Sequence, residues 1–161
     1  MPRFKNTPDP IPNLIANEIF VFGANSLLSV ATGSDNTVMG ATSGTSITGS
    51  GSTILGSNSM YVTLGGPNTI IGANAAKGTV STGSAFNNNT IVGYQSMFYA
   101  KTGFNNTSIG HQSSYAGANT YGNVVNGAWA LNRNGINHAV LGSITTVTSG
   151  LTNGTYTNIA L

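Results

Sequence analysis

One short phrase recurs eight times along this chain of 161 residues: two mostly apolar residues, a glycine, two variable residues and a small residue. Successive repeat glycines stand 17, 16, 16, 21, 17, 17 and 15 residues apart. A near-constant period of this length is typical of solenoids, in which each repeat stacks only on its neighbours. The phrase therefore predicts about eight coils. Its glycines are Gly23, Gly40, Gly56, Gly72, Gly93, Gly110, Gly127 and Gly142.

The residues around each apolar pair favour a short strand between two turns. Asn-Thr precedes the pair at 68–69, 89–90 and 106–107. Asparagine tolerates a left-handed backbone and suits the start of a strand, and glycine supplies positive φ where the strand ends. Charged residues are only 5% of the chain, against about 25% in typical domains, but the recurring β-branched pairs argue against disorder. We therefore predict an all-β fold, a parallel β-solenoid of the β-roll or β-helix type.

The two apolar residues of each pair are adjacent, so in a strand they point to opposite faces. Ile70 and Ile71, for example, cannot both face the interior of one coil. Burial of both faces is typical of parallel sheets that are covered on each side. The outward face needs a partner, most simply another copy of the chain. The repeat therefore predicts an obligate oligomer.

Two copies depart from the apolar pattern, because Ser108 and Asn126 stand where other copies have an apolar residue. Two interpretations remain open. The one we favour is that the apolar face is less buried at these positions. In the other, the two residues bond one another around a symmetry axis and set the register of the oligomer, as a buried asparagine does in coiled coils.

The chain divides into three segments. Residues 1–17 contain four of the five prolines and should form an extended arm. This arm is either a frayed terminus or an anchor that becomes ordered against a partner. Residues 18–145 form the solenoid shaft, and residues 146–161 are predicted to add capping strands over its open edge. The candidate anchoring residues are Arg3, Phe4, Lys5, Pro8, Pro10, Ile11 and Pro12.

The repeats lack the side chains that most enzymes need. All three acidic residues, Asp9, Glu18 and Asp35, precede residue 36, and the chain has no cysteine. Paired-carboxylate catalysis, catalytic triads and thiolate metal sites therefore have no residues to use. His111 and His138 are the only histidines, and a surface or stacked role for the first and a turn role for the second fit better than catalysis. We predict no enzymatic activity, no metal and no cofactor.

Charge and hydropathy disfavour two further partners. The five basic residues are dispersed and the net charge is only +2, so no basic stripe is available for nucleic acid. The chain does not open on the apolar segment of a signal peptide, and no apolar stretch is long enough for membrane insertion. A protein that is made and used in soluble form is expected.

A candidate binding surface lies in the second half of the chain, where aromatic residues are concentrated. Tyrosine and tryptophan offer flat faces to sugar rings and polar tips for hydrogen bonds. The alternative is that these rings pack between the chains of the oligomer. Threonines at 37, 53, 69, 90 and 107 also suggest ice binding as a possible function, but the other residues of the outward face argue against it. The candidate glycan contacts are Tyr94, Tyr99, Tyr115, Tyr121 and Trp129.

Two consecutive copies carry a resemblance to known proteins. Residues 88–96 read Asn-Asn-Thr-Ile-Val-Gly-Tyr-Gln-Ser, and residues 105–113 read Asn-Asn-Thr-Ser-Ile-Gly-His-Gln-Ser. They closely resemble the NNTAIGYQAL repeats of bacteriophage tail-fibre proteins and are more loosely similar to the NSVAIG repeats in the heads of trimeric autotransporter adhesins. The close resemblance covers residues 88–127 and a degenerate form spans 19–145. Proteins with these repeats look like parallel homotrimers, so the resemblance implies a trimeric shaft.

The resemblance also implies a function. It points to a non-enzymatic structural protein of a phage virion, a short homotrimeric fibre or spike on the head or the tail. Such a protein is made in the host cytoplasm, is mounted on another virion protein through its N-terminal arm and is displayed on the virion surface. There it could aid attachment to a host-surface glycan. The alternative function is that of a cell-surface adhesin or carbohydrate-binding module.

Overall fold

The computed structural model describes residues 19–27, 29–30, 33–60, 65–78, 85–100, 102–115, 119–130, 135–136, 139–142 and 159–160. Short β-strands joined by turns make up this part of the chain, which contains no helix. The strands are β1 (Phe20–Phe22), β2 (Ser29–Val30), β3 (Thr37–Met39), β4 (Ser46–Ile47), β5 (Thr53–Leu55), β6 (Asn68–Ile71), β7 (Phe86–Asn87), β8 (Asn89–Val92), β9 (Thr102–Phe104), β10 (Thr107–Ile109), β11 (Asn119–Tyr121), β12 (Val124–Asn126), β13 (Gly135–Ile136), β14 (Ala139–Leu141) and β15 (Ile159–Ala160).

The strands form a parallel β-solenoid, as the repeat predicts. A nine-stranded sheet, which we call the long sheet, has the order β1-β3-β5-β6-β8-β10-β12-β14-β15. Strands from the other side of the coils form a four-stranded sheet, β13-β11-β9-β7, and a two-stranded sheet, β2-β4. Every pair is parallel, and equivalent residues of the repeats lie beside one another: Ile54 pairs with Ile70, and Ile70 with Ile91. The chain therefore passes repeatedly from the long sheet to the opposite side and back.

The number of turns differs from the expectation. The solenoid has about five turns, not the eight coils that the count of glycines predicts. Each copy of the phrase does supply a strand to the long sheet, but the opposite side is less regular. Between β4 and β7, the described residues contribute no strand to that side. The phrase encodes only the long-sheet strand and the following corner, so counting its copies overestimates the complete turns.

The glycine and the small residue of the phrase form the corner that follows each long-sheet strand. Gly93 has a φ of +132°, and a Cβ at this position would collide with the carbonyl oxygen of Gly110 in the next coil. Three residues after the glycine, a serine closes the turn in several coils: Ser43 Oγ, for example, donates a hydrogen bond of 2.7 Å to the carbonyl oxygen of Gly40. Ala75 and Ala130 take this position in two other coils, so the corner requires the glycine for its conformation and a small residue after it, and the serine hydrogen bond is an addition.

The interior contains the first residue of each pair, which is apolar except at Ser108. The first residue of the pair points inward, and Val38, Ile54, Ile70, Ile91 and Val125 are completely buried. Side chains from the corners and the opposite side fill the remaining space. The largest of these buried side chains are Leu27, Ile47, Met60, Phe86 and Met97. The predicted division of each apolar pair between two faces is thus observed.

A column of asparagines runs beside the apolar interior, which corrects the role predicted for Asn-Thr. Asn68, Asn89, Asn106 and Asn123 are buried, and their amides bond from coil to coil. Asn89 Nδ2 donates to Asn68 Oδ1 at 3.0 Å and Asn106 Nδ2 donates to Asn89 Oδ1 at 2.9 Å. The left-handed backbone belongs instead to the preceding residue, such as Asn88 with a φ of 58°. These asparagines therefore satisfy buried polar groups and do not supply the turn.

The two exceptions to the apolar pattern lie on opposite faces of the long sheet. Ser108 points inward and is buried, and its hydroxyl lies 3.0 Å from that of Ser96 and 2.8 Å from that of Ser113. Asn126 points outward and is exposed. The interpretation that the face is less buried at Ser108 is wrong, and the pair cannot bond one another around an axis because Ser108 lies in the interior. Hydrogen bonding to two other serines allows the polar residue to be buried there.

The two ends of the chain are described only in part. The predicted arm at 1–17 and its candidate anchoring residues lie outside the described residues, as does His138. Of the predicted capping segment at 146–161, the structure describes only β15, which pairs in parallel with β14 and forms the last strand of the long sheet.

Candidate functional site

The outward face of the long sheet carries a column of apolar side chains. These are the second residues of the apolar pairs, and parallel pairing in register places each beside its equivalent in the next coil. Phe22 is 56% exposed, Ile71 38% and Leu141 42%. We call this set the outer apolar column: Phe22, Met39, Leu55, Ile71, Val92, Ile109 and Leu141, interrupted by Asn126.

A second outward column lies two residues earlier in each strand and consists mainly of threonine. Its members pair in register from β3 to β10, and none of them is fully buried. On either side of the threonines, Phe20 and Val124 take this position and are 56% and 47% exposed. The members of this column are Phe20, Thr37, Thr53, Thr69, Thr90, Thr107 and Val124. The outward face is therefore a narrow apolar stripe bordered by a mostly polar one.

The five candidate glycan contacts fall into three separate groups of rings. The first, which we call the ring column, consists of Tyr94, His111 and Trp129. The Tyr94 and His111 rings stack with centroids 5.5 Å apart and an angle of 17° between their planes. The His111 and Trp129 rings meet edge to face, with centroids 5.4 Å apart. All three side chains are exposed, so the ring column is open to a ligand in the single chain.

The second group contains Tyr99 and Tyr115 together with Phe98, and each of these three rings contacts the other two. Phe98 stacks on Tyr115 at 5.4 Å, and Tyr99 packs edge to face against both rings. Lys77 Nζ lies 5.5 Å from the centre of the Phe98 ring, within the range of a cation–π interaction. Desolvation, with a smaller effect of the Tyr99 hydroxyl, raises the pKa of Tyr115. Phe98 and Tyr115 are partly buried in these contacts, whereas Tyr99 is 42% exposed.

The third group lies on the four-stranded sheet, away from the other two along each coil. Phe104 of β9 and Tyr121 of β11 stack with centroids 5.4 Å apart and an interplanar angle of 9°. The Tyr121 hydroxyl lies 3.3 Å from Thr102 Oγ1. The sequence therefore identified the aromatic residues, but it did not separate the exposed ring column from the two groups whose rings pack together.

The variable residue two positions after each glycine has a structural role that the sequence analysis missed. At this position the backbone is left-handed in every described copy, with φ between 52° and 58°. Six copies carry Asn, Thr or Gln, and the seventh carries Trp129, a bulky residue that rarely adopts positive φ. The available signal was the excess of amides at this position. The residues are Asn25, Thr42, Asn58, Asn74, Gln95, Gln112 and Trp129.

The replacement of an amide by Trp129 leaves a polar atom without a partner. Gln112 Nε2 donates a hydrogen bond to Gln95 Oε1 in the preceding coil. Gln112 Oε1 is buried and has no hydrogen-bond partner among the described residues. An amide in the next coil could donate to this oxygen, but that coil carries Trp129. The column of amides therefore ends at an unsatisfied acceptor beside the ring column.

Two searches of the described ranges give negative results. No group of three or more His, Asp or Glu side chains is arranged to hold a metal ion in this part of the chain. None of its segments forms a helix that is both long and apolar enough to cross a membrane.

Comparison with protein-family models, with curated proteins and with solved structures finds no match to this chain. The geometry of the outward face and of the ring column is therefore the basis for the proposals below.

Proposed function

We propose that this chain is a non-enzymatic structural protein of a phage virion, a short homotrimeric fibre or spike. The observation that carries the proposal is the outer apolar column, which extends along the long sheet from Phe22 to Leu141. Exposed apolar surface that continues over so many strands marks a site of protein association. The partner is two further copies of the same chain, because a repeating column in regular register is matched best by an identical column.

The narrowness of the outer apolar column supports a trimer. From β3 to β10 only one apolar residue per long-sheet strand points outward, and a threonine stands two residues earlier. A stripe one residue wide can converge with its copies on a common axis, whereas two flat sheets packed face to face need a broader apolar surface. The resemblance of residues 88–127 to the repeats of phage tail fibres and, more loosely, trimeric adhesins favours the same arrangement.

The remaining parts of the proposal concern mounting and exposure. The proline-rich arm at 1–17 attaches the trimer to another virion protein, and the shaft is displayed on the virion surface, where it aids attachment to the host. The distribution of acidic residues supports a structural role, because none follows Asp35. The second candidate, a cell-surface adhesin or carbohydrate-binding module, is favoured by the exposed ring column.

Measurement of the mass in solution tests the trimer. Sedimentation equilibrium should give three times the 16.4 kDa mass of one chain. The double variant Ile71→Asp, Ile109→Asp places two charges per chain in the outer apolar column and should abolish assembly, because charges at an apolar interface have no partner. The matched control, Asn88→Asp with Asn105→Asp, adds the same charge at two exposed turn positions and should remain trimeric. A wild-type monomer that unfolds reversibly at low concentration would contradict the proposal.

The place where the protein is found, on phage particles or on a cell envelope, distinguishes the two candidate functions. An antibody against the chain should label the surface of purified phage particles in electron micrographs, and removal of residues 1–17 should prevent incorporation into the particle without changing the mass of the soluble trimer. Labelling of a cell envelope in the absence of phage would favour the adhesin.

A further inference from the structure

The corner of the solenoid at the ring column differs chemically from the same corner in other coils. One position after the repeat glycine, most copies carry alanine or serine, whereas consecutive coils carry Tyr94 and His111. The next coil contributes Trp129 from the neighbouring position. Three exposed rings are thus placed side by side in three successive coils, with centroid spacings of 5.5 and 5.4 Å.

Trp129 is a residue type poorly suited to the left-handed conformation that its position in the repeat imposes. Its φ is 58°, and a bulky side chain in this region of backbone space is strained. Its ring is 46% exposed, so burial offsets little of that strain. Strained residues that remain exposed are concentrated at binding sites. The edge-to-face contact with His111 also leaves a broad face of the indole uncovered by that imidazole.

Polar side chains lie in the two coils that precede Trp129, at the same corner of the solenoid. The Gln112 amide oxygen lacks a donor, and the amides of Gln95 and Gln112 lie at the same corner, one position after Tyr94 and His111. The imidazole of His111 and the hydroxyl of Tyr94 add further donors and acceptors. An aromatic face next to amide, imidazole and hydroxyl groups suits a ligand with an apolar face and hydroxyls along its edge.

We propose that the ring column, together with the amides of Gln95 and Gln112, is a binding platform for a neutral sugar of a cell-surface glycan. The sugar ring packs on Trp129, and its hydroxyls bond to the imidazole of His111 and the phenol hydroxyl of Tyr94, which are both on exposed side chains. The sugar is neutral because none of these five side chains carries a fixed charge, so a carboxylated or sulfated sugar gains no ion pair. Sugar binding by this platform specifies how the protein attaches to its host, and the inference rests on the attachment role in the proposed function.

The chain contains a single tryptophan, so its intrinsic fluorescence reports on the platform directly. Acrylamide should quench Trp129 in the assembled protein, which shows that the ring remains accessible in the oligomer. Immobilised neutral glycans that end in glucose, galactose, N-acetylglucosamine or N-acetylgalactosamine are then compared with sialylated and sulfated glycans. Binding is expected on the neutral set alone, and the free oligosaccharide of the best binder should shift the tryptophan emission.

Substitutions assign the binding to the platform. Three other copies have asparagine at this position, so Trp129→Asn is compatible with the fold. It should weaken glycan binding at least tenfold, as should His111→Ala, whereas Trp129→Phe should retain part of the affinity. Phe104→Ala, which removes a ring from the four-stranded sheet, is the matched control and should leave binding unchanged.

Three results overturn the proposal: the absence of binding to every neutral glycan, unchanged binding by Trp129→Asn, or protection of Trp129 from acrylamide in the oligomer. The last result assigns the ring column to an interface between chains. Each of these leaves the trimer mass intact, so the failure of the sugar platform is distinguishable from failure of the proposed fibre.

Discussion

Asn89 and Asn68 are joined by two hydrogen bonds across neighbouring coils, from the Asn89 backbone nitrogen at 3.1 Å and from Nδ2 at 3.0 Å, both to Asn68 Oδ1. Asn89 in turn accepts from the backbone nitrogen and Nδ2 of Asn106 at 3.0 and 2.9 Å. Its Nδ2 also donates to the Gly103 carbonyl oxygen at 2.8 Å. The amide thus connects three successive long-sheet strands inside the solenoid.

Asn89→Ala should destabilise the protein by about 3 kcal/mol, because removal of the amide leaves several buried polar groups unpaired at a cost of about 1–3 kcal/mol each. Urea denaturation followed by circular dichroism at a fixed protein concentration measures the difference. The adjacent Asn88→Gly is the control: Asn88 is exposed with a φ of 58°, which glycine adopts freely. Equal stability of Asn89→Ala and wild type would contradict a structural role for the asparagine column.

Gly93→Ala should destabilise the fold more than any substitution on the outward face. The new Cβ would collide with the backbone of Gly110, and the φ of +132° is unsuitable for alanine. Backbone strain alone costs about 1–3 kcal/mol, so a total loss of at least about 3 kcal/mol is expected. In the control, Gly78→Asn, the φ is +66° and the Cβ would lie 3.4 Å from the Ala100 carbonyl oxygen, an ordinary contact. Thermal unfolding of both variants provides the comparison.

Trp129→Asn should increase the free energy of unfolding by about 1 kcal/mol while it removes the sugar platform. Asparagine tolerates the left-handed backbone, and its amide can donate to the unpaired Gln112 Oε1. Stabilisation at the expense of binding is the usual consequence of relieving strain in a binding site. Trp129→Phe retains the strain and should not be stabilised. A lower melting temperature for Trp129→Asn would show that the indole contributes to folding.

Asn126→Leu should strengthen self-association, because it completes the outer apolar column. Burial of the additional side chain contributes about 1 kcal/mol per chain. Sedimentation equilibrium over a dilution series should show a lower dissociation constant for Asn126→Leu and a higher one for Asn126→Asp. If neither substitution changes the dissociation constant, residue 126 lies outside the interface.

Much of the fold follows from the alternation of strand residues. The adjacent positions of Ile70 and Ile71 require opposite faces, and the structure has the first buried and the second exposed. The strands opposite the long sheet were harder to predict: β9 contains Thr102, Gly103 and Phe104, which show no apolar periodicity. Asn89 was misinterpreted as a turn former because the same residue type serves turns and buried ladders, and only three-dimensional pairing distinguishes the two.

The candidate site was less predictable than the fold. The sequence singled out Tyr94 and Trp129, but contact between them requires His111, which belongs to the intervening coil. Trp129 also stands at an amide position whose left-handed geometry becomes evident only when the copies are superposed as coils. Stacking of residues separated by a whole repeat therefore determines the site, and no local pattern reports it.

The buried cluster of Ser96, Ser108 and Ser113 has a consequence for how the chain reaches its native state. Most coils have interchangeable apolar interiors, so during folding a strand can pair with a non-native neighbour one repeat away and still bury its side chains. In such a mispairing Ser108 would keep Ser113 of its own coil, 2.8 Å away, but would lose the Ser96 hydroxyl that lies 3.0 Å away in the preceding coil. The contact with Ser96 therefore favours the native order of these two coils over a pairing that skips a repeat.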